Sequence, residues 1–148
     1  MVKITDNTVA GDGTNVGIAQ NGIEIGDGAA ADIEGNGVSD NQYTGTDTNA
    51  TGILIYDGPG YEGLGAFEGP NYTSATVKGN TLTNNDQGIW LSNLNNPASE
   101  APDSTNNLVS GNTVTNDGTS LNIYAAGIIL QTGNGDMIKG NTVYGAGY

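Results

Sequence analysis

Short runs in which apolar and polar residues alternate recur along the whole chain, separated by stretches of Gly, Asn, Asp and Thr. Five of them share one frame: "VKITDNTV" (2–9), "ADIEGNGV" (31–38), "ATVKGNTL" (75–82), "NLVSGNTV" (107–114) and "DMIKGNTV" (136–143). Aligned on their central Asn, residues Asn7, Asn36, Asn80, Asn112 and Asn141 fall in register at spacings of 29, 44, 32 and 29. A second run follows each of the first four: "GIEI" (22–25), "GILI" (52–55), "GIWL" (88–91) and "GIIL" (127–130). No segment sustains the i, i+3, i+4 spacing of a helix, because Gly or Asn interrupts every few residues. Strands of three to five residues repeated at a near-constant period, with no helix between them, predict a β-solenoid.

Alternation assigns the faces. Ile4, Ile33, Val77, Val109 and Ile138 form one inward column, and Val9, Val38, Leu82, Val114 and Val143 a second. The "GIxI" runs supply the third, through Ile23/Ile25, Ile53/Ile55, Ile89/Leu91 and Ile128/Leu130. Stacked about 4.8 Å apart, three aliphatic columns fill a narrow prism. The expectation is a single domain over residues 1–148 with about five coils of three short strands. Two insertions, 56–74 and 93–106, account for the longer spacings.

The "GNTV…GIxL" frame resembles the right-handed parallel β-helix superfamily, which includes pectate lyases, polygalacturonases, mannuronan epimerases, phage tailspikes and many bacterial and archaeal surface proteins. The resemblance spans the chain and implies an all-β, right-handed parallel β-helix. It also implies an asparagine ladder, with Asn7, Asn36, Asn80, Asn112 and Asn141 as rungs. Asn tolerates a left-handed turn conformation, and its amide both donates and accepts, so these rungs are expected to bend the chain and bond one another. The resemblance is specific for fold and leaves activity open.

Sixteen acidic residues face three basic ones, and the net charge is −13. Phosphate backbones are held by Lys and Arg, so nucleic acid is not an expected partner, and an anionic membrane surface is disfavoured for the same reason. No run approaches the ~18 apolar residues of a membrane span, so membrane insertion is not expected either. With no Cys there is no disulfide and no thiolate metal site.

The chain carries no His and no Arg, and its Lys are Lys3, Lys78 and Lys139. The base and clustered-acid sites of the enzymes on this fold therefore have no recognisable counterpart, and no catalytic residue is assigned. Carboxylate pairs such as Asp57 with Glu62, or Asp86 with Asp117, are the remaining route to acid–base chemistry. Glu34 beside Lys78 reads as a cross-strand ion pair. "GDGTN" (11–15), "GDG" (26–28), "TNDGTS" (115–120) and "NGD" (134–136) set carboxylates beside Gly turns, a calcium-compatible pattern that ordinary turn chemistry also explains. No cofactor is expected beyond that calcium option.

One outward column breaks the polar rule. Glu24, Leu54, Trp90 and Ile129 are outward on the "GIxI" face, beside Gly26, Tyr56, Ser92 and Gln131. Leu54, Trp90 and Ile129 thus make an external apolar strip with Tyr56 alongside, and Tyr61, Phe67 and Tyr72 lie in the first insertion. Such a strip is covered by an insertion, binds a ligand or associates with another copy. As a ligand site it would stack sugar rings on Trp90, Tyr56, Tyr61, Phe67 and Tyr72, with Asp57 and Glu62 taking hydroxyls. The expected role is a non-catalytic extracellular or cell-surface module that binds a glycan, a surface polysaccharide or a partner. A segment of a carbohydrate-active enzyme and a structural stalk that self-associates end to end are the alternatives. Neither terminus shows a capping helix, so the coils are expected to belong to a longer solenoid or to stack end to end.

Overall fold

The computed structural model describes residues 1–148 apart from 16, 27, 46–47, 57–72, 93–105, 119–123 and 132–134. Among the described residues there is no helix, and the strands form three parallel sheets. Sheet one stacks β1 (Val2–Thr5), β4 (Ala30–Glu34), β7 (Ser74–Lys78), β10 (Leu108–Ser110) and β13 (Met137–Lys139) in that order. Sheet two stacks β2 (Thr8–Asn15), β5 (Gly37–Tyr43), β8 (Thr81–Thr83), β11 (Thr113–Thr115) and β14 (Thr142–Tyr144). Sheet three holds β3 (Asn21–Ile25), β6 (Thr51–Ile55), β9 (Gln87–Leu91) and β12 (Ala126–Leu130). Each strand pairs with its equivalent in the next coil, and the chain is a parallel β-helix. Only the coils beginning at β4, β7 and β10 have neighbours above and below, so about three turns form the continuous solenoid instead of the expected five.

The inward columns are those the alternation predicts. Ile4 aligns with Ile33, Ile33 with Val77, Val77 with Val109 and Val109 with Ile138. Val9, Val38, Leu82, Val114 and Val143 align likewise in sheet two. Ile33, Ile53, Ile55, Val77, Leu82, Ile89, Leu91, Val109 and Val114 have no solvent contact, whereas Leu130, Ile138 and Val143, the last members of the three columns, are exposed.

The Asn ladder exists, but the left-handed residue at the bend is its neighbour. Gly35, Gly79, Gly111 and Gly140 have φ of 69°, 62°, 64° and 61°, and Asp6 takes the same place in coil one at 56°. Glycine pays no Cβ penalty in that region, which frees the Asn to be the rung. Each rung gives its backbone N–H and its Nδ2 to the next Oδ1: Asn7 to Asn36, Asn36 to Asn80, Asn80 to Asn112 and Asn112 to Asn141, at 2.9–3.0 Å. The second Nδ2 hydrogen closes on a carbonyl of sheet one, such as Ile33 O from Asn80 at 2.9 Å.

Two shorter ladders hold the other corners. Asn41 gives N–H and Nδ2 to Asn85 Oδ1 at 3.2 and 2.7 Å, and Asn116 Nδ2 reaches Asn85 O. Ala75 N–H donates to Asn107 Oδ1, and Asn107 donates twice to Asp136 Oδ1. Asp136, one of the carboxylates read as a calcium-type turn, is thus the end of a ladder.

Candidate functional site

The outward face of sheet three carries the sequence's rule-breaking residues, and its register is as read: Glu24 pairs with Leu54, Leu54 with Trp90 and Trp90 with Ile129. The strip is not exposed, however. Leu54 is 4% and Trp90 8% exposed, and neither belongs to the cluster that fills the prism. Ile129 is half-buried. Trp90 Nε1 donates to Gln131 Oε1 at 2.8 Å, which satisfies the indole's single polar group. Trp90 is therefore part of a packed layer outside the prism and not an open stacking platform. An aliphatic and an indole on adjacent coils gain more from leaving water than from facing it.

The exposed chemistry of this face lies at its coil-one end. Asn21 Nδ2 donates to Glu24 Oε2 at 2.7 Å, fixing that carboxylate beside the strand. Two residues on, a Cβ added to Gly26 would stand 2.7 Å from Cε1 and 2.8 Å from Cζ of Tyr56, so the Tyr56 ring lies over the bare Gly26 Cα. Tyr56 N–H donates to Ile25 O, which continues the sheet-three pairing to this ring. Alternation puts Glu24 and Gly26 on one face, so a carboxylate and an aromatic ring are neighbours there. Tyr61, Phe67, Tyr72, Asp57 and Glu62 lie outside the described residues.

Several other carboxylates have structural partners. Asp86 is buried and its Oδ2 accepts Tyr43 N–H at 2.7 Å. Asp117 exchanges bonds with Asn84 in the coil before it, at 3.0 and 3.2 Å. Asp86 and Asp117, a candidate carboxylate pair in the sequence, each hold a structural hydrogen bond. Lys78 Nζ meets Glu34 Oε1 at 2.8 Å, and this hydrogen bond, with the attraction of the two charges, holds the Glu34 carboxyl below its ordinary range and lifts Lys78. Among the described residues no three His, Cys, Asp or Glu side chains group as metal ligands.

An open groove of about 330 Å³ lies at the corner of sheets two and three in coil one, lined among others by Gly11, Asp12, Gln20, Asn21 and Asn41. The sequence singles out Asp12 through "GDGTN", shows Glu24 and Gln131 only as outward positions without a role, and does not point to Gln20 or Asn21. The signal for Glu24 was its place in the outward column. Gln20 and Asn21 carry none, since only the bend between β2 and β3 brings them to the groove.

The family model for the right-handed β-helix region matches residues 1–148. No curated protein and no solved structure matches the chain.

Proposed function

Since the chain belongs to the right-handed β-helix family, we propose that it is a non-catalytic, extracellular or cell-surface module that presents the coil-one end of sheet three to a neutral glycan. One juxtaposition carries this reading: the Tyr56 ring over Gly26, beside a Glu24 carboxylate fixed by Asn21. A pyranose offers an apolar C–H face and a rim of hydroxyl donors, which an aromatic ring and a carboxylate with spare lone pairs complement. The net charge of −13 repels uronate and sulfated chains and so favours uncharged sugars. Support for a non-catalytic role comes from Asp86, Asp117 and Asp136, whose oxygens hold backbone and ladder amides.

The test is a glycan array followed by calorimetric titration of the neutral glycans retained. Tyr56→Ala and Glu24→Gln should each weaken binding about tenfold, from the ~1.4 kcal/mol that a ring contact or charge-assisted hydrogen bond contributes. Retention of no neutral glycan, or binding that neither change affects, would refute the reading.

A further inference from the structure

The groove in coil one is lined by oxygens, and one of them, Asn41 Oδ1, has no donor among the described residues. In the ladder of the sheet two–three corner, each Oδ1 accepts from the rung before it, as Asn85 Oδ1 accepts from Asn41. By the same geometry Asn41 Oδ1 is due donors from coil one. They are missing because β2 shifts register between Ala10 and Gly13, which pairs Asn41 with Gly13, a residue without a side chain to serve as a rung. Asn41 is 2% exposed, yet among the described residues its Oδ1 accepts no hydrogen bond.

Other oxygens meet it. A Cβ on Gly11 would lie 3.0 Å from Asn41 Oδ1, 2.6 Å from Gln20 Oε1 and 2.5 Å from Asp40 O. Neither amide can swing its NH₂ inward without loss. Asn41 Nδ2 is held by Ser39 O and Asn85 Oδ1. Gln20 accepts Asp12 N–H through Oε1 at 2.9 Å and reaches Asp12 Oδ2 through Nε2. The Asp12 carboxylate lines the same groove and supplies a negative charge. Three neutral oxygens and one carboxylate thus meet at one groove, with Asp12 N–H and Gln20 Nε2 as the donors between them, and such an oxygen set suits a hard cation.

We propose that this groove binds calcium, through Asp12, Gln20 Oε1, Asn41 Oδ1 and the Asp40 carbonyl. Calcium is favoured over magnesium because it takes carbonyl and amide oxygens in irregular geometry, whereas magnesium demands near-octahedral ligands and retains its waters. One carboxylate gives a weak site, with a Kd on the order of 0.1–1 mM, in the range of extracellular modules.

Calcium chloride titrated into the full chain at about 0.15 M ionic strength, where exposed charges are largely screened, should show one saturable site. Asp12→Asn should weaken it about tenfold or more, while Asp32→Asn, the same charge change on sheet one, should leave it unaltered. Gln20→Glu adds an anionic ligand and should tighten it, a gain that no folding defect can mimic. The inference is overturned if uptake does not saturate, if magnesium competes at equal concentration, if Asp12→Asn and Asp32→Asn weaken uptake alike, or if Gln20→Glu brings no gain. The first and third of those outcomes would mark a diffuse ion atmosphere around an acidic protein. The site is separate from Tyr56 and Glu24, so its failure leaves the glycan reading standing.

Discussion

Asn80 donates twice to Asn112, from its backbone nitrogen and from Nδ2, both at 2.9 Å to the same Oδ1. The same two groups of Asn36 donate to Asn80 in turn, so the ladder has a direction and every interior rung is both donor and acceptor. Removing an interior rung therefore strands partners on both sides. Asn80→Ala should cost about 3 kcal/mol, since two donors of Asn36 and the Ile33 carbonyl lose their partners at a buried site. Asn7→Ala, at an exposed end with nothing donating to its side chain among the described residues, should cost about 1 kcal/mol or less. Urea midpoints of the two variants, compared at equal m, check the difference.

The glycines of the two repeated motifs serve different physics, and substitution separates them. Gly79 has φ of 62° and open space around its Cα, so Gly79→Ala meets only the left-handed penalty of about 1–2 kcal/mol. Gly79→Asp should be milder, because Asp6 occupies the equivalent place in coil one. Gly52 has no such φ, but a Cβ there would stand 2.8 Å from Gly88 O and 2.9 Å from Leu82 Cδ2. Gly52→Ala must push a backbone carbonyl of the next coil and should cost about 2–3 kcal/mol. Thermal or urea denaturation of the three variants reads the order Gly52→Ala, Gly79→Ala, Gly79→Asp from worst to least.

The same two motifs mark how much of the molecule was legible in the sequence. The three core columns and the main ladder follow from period-2 alternation and one repeated Asn, because every coil must solve the same packing problem with the same residue types. The sequence assigns the left-handed position to Asn although its neighbour bears it, because both tolerate φ above zero, and only Asp6 in place of Gly hints at which one does. The ladder through Asn41, Asn85 and Asn116 lies in "SDN", "TNN" and "TND", but Asn stands third in the first two and second in the last, which hides the alignment. Trp90 shows where alternation stops. Alternation places it outward, which is right, but outward of the prism is not the same as exposed, and what a side chain packs against beyond its own strand is tertiary information.

Trp90 is the chain's single Trp, so its burial has a direct spectroscopic reading. Its emission should be blue-shifted from that of free tryptophan and resist quenching by iodide. Gln131→Met removes the acceptor of Nε1 and should cost about 1 kcal/mol, while Trp90→Ala should cost about 3 kcal/mol through lost packing. A red, fully quenchable emission would restore the open platform that the sequence suggested. It would also make Trp90, instead of Tyr56, the first residue to test against glycans.

Tyr148 gives the fold a stability that depends on alkaline pH. Its side chain packs against the core cluster, and its hydroxyl donates to Asn85 O at 3.3 Å, at the corner where the second ladder runs. Burial, opposed in part by a hydrogen bond to Asn116 and reinforced by the Asp86 charge, pushes its pKa up to about 12 from the ordinary 10.0. The folded state thus holds this proton more tightly than the unfolded chain does. By linkage the contribution is fully present below pH 10 and is lost as pH rises from about 10 to about 12. The diagnostic quantity is a difference between variants, in which the contributions of all other groups cancel. Tyr148→Phe keeps the ring and removes the titration; it should be slightly less stable than the parent at pH 8 for want of the hydrogen bond, and should fall less steeply above pH 10. Urea denaturation of both proteins across that range checks it. Parallel curves would mean that the hydroxyl is as free to ionise in the folded protein as in the unfolded chain, and that Tyr148 does not seal the corner.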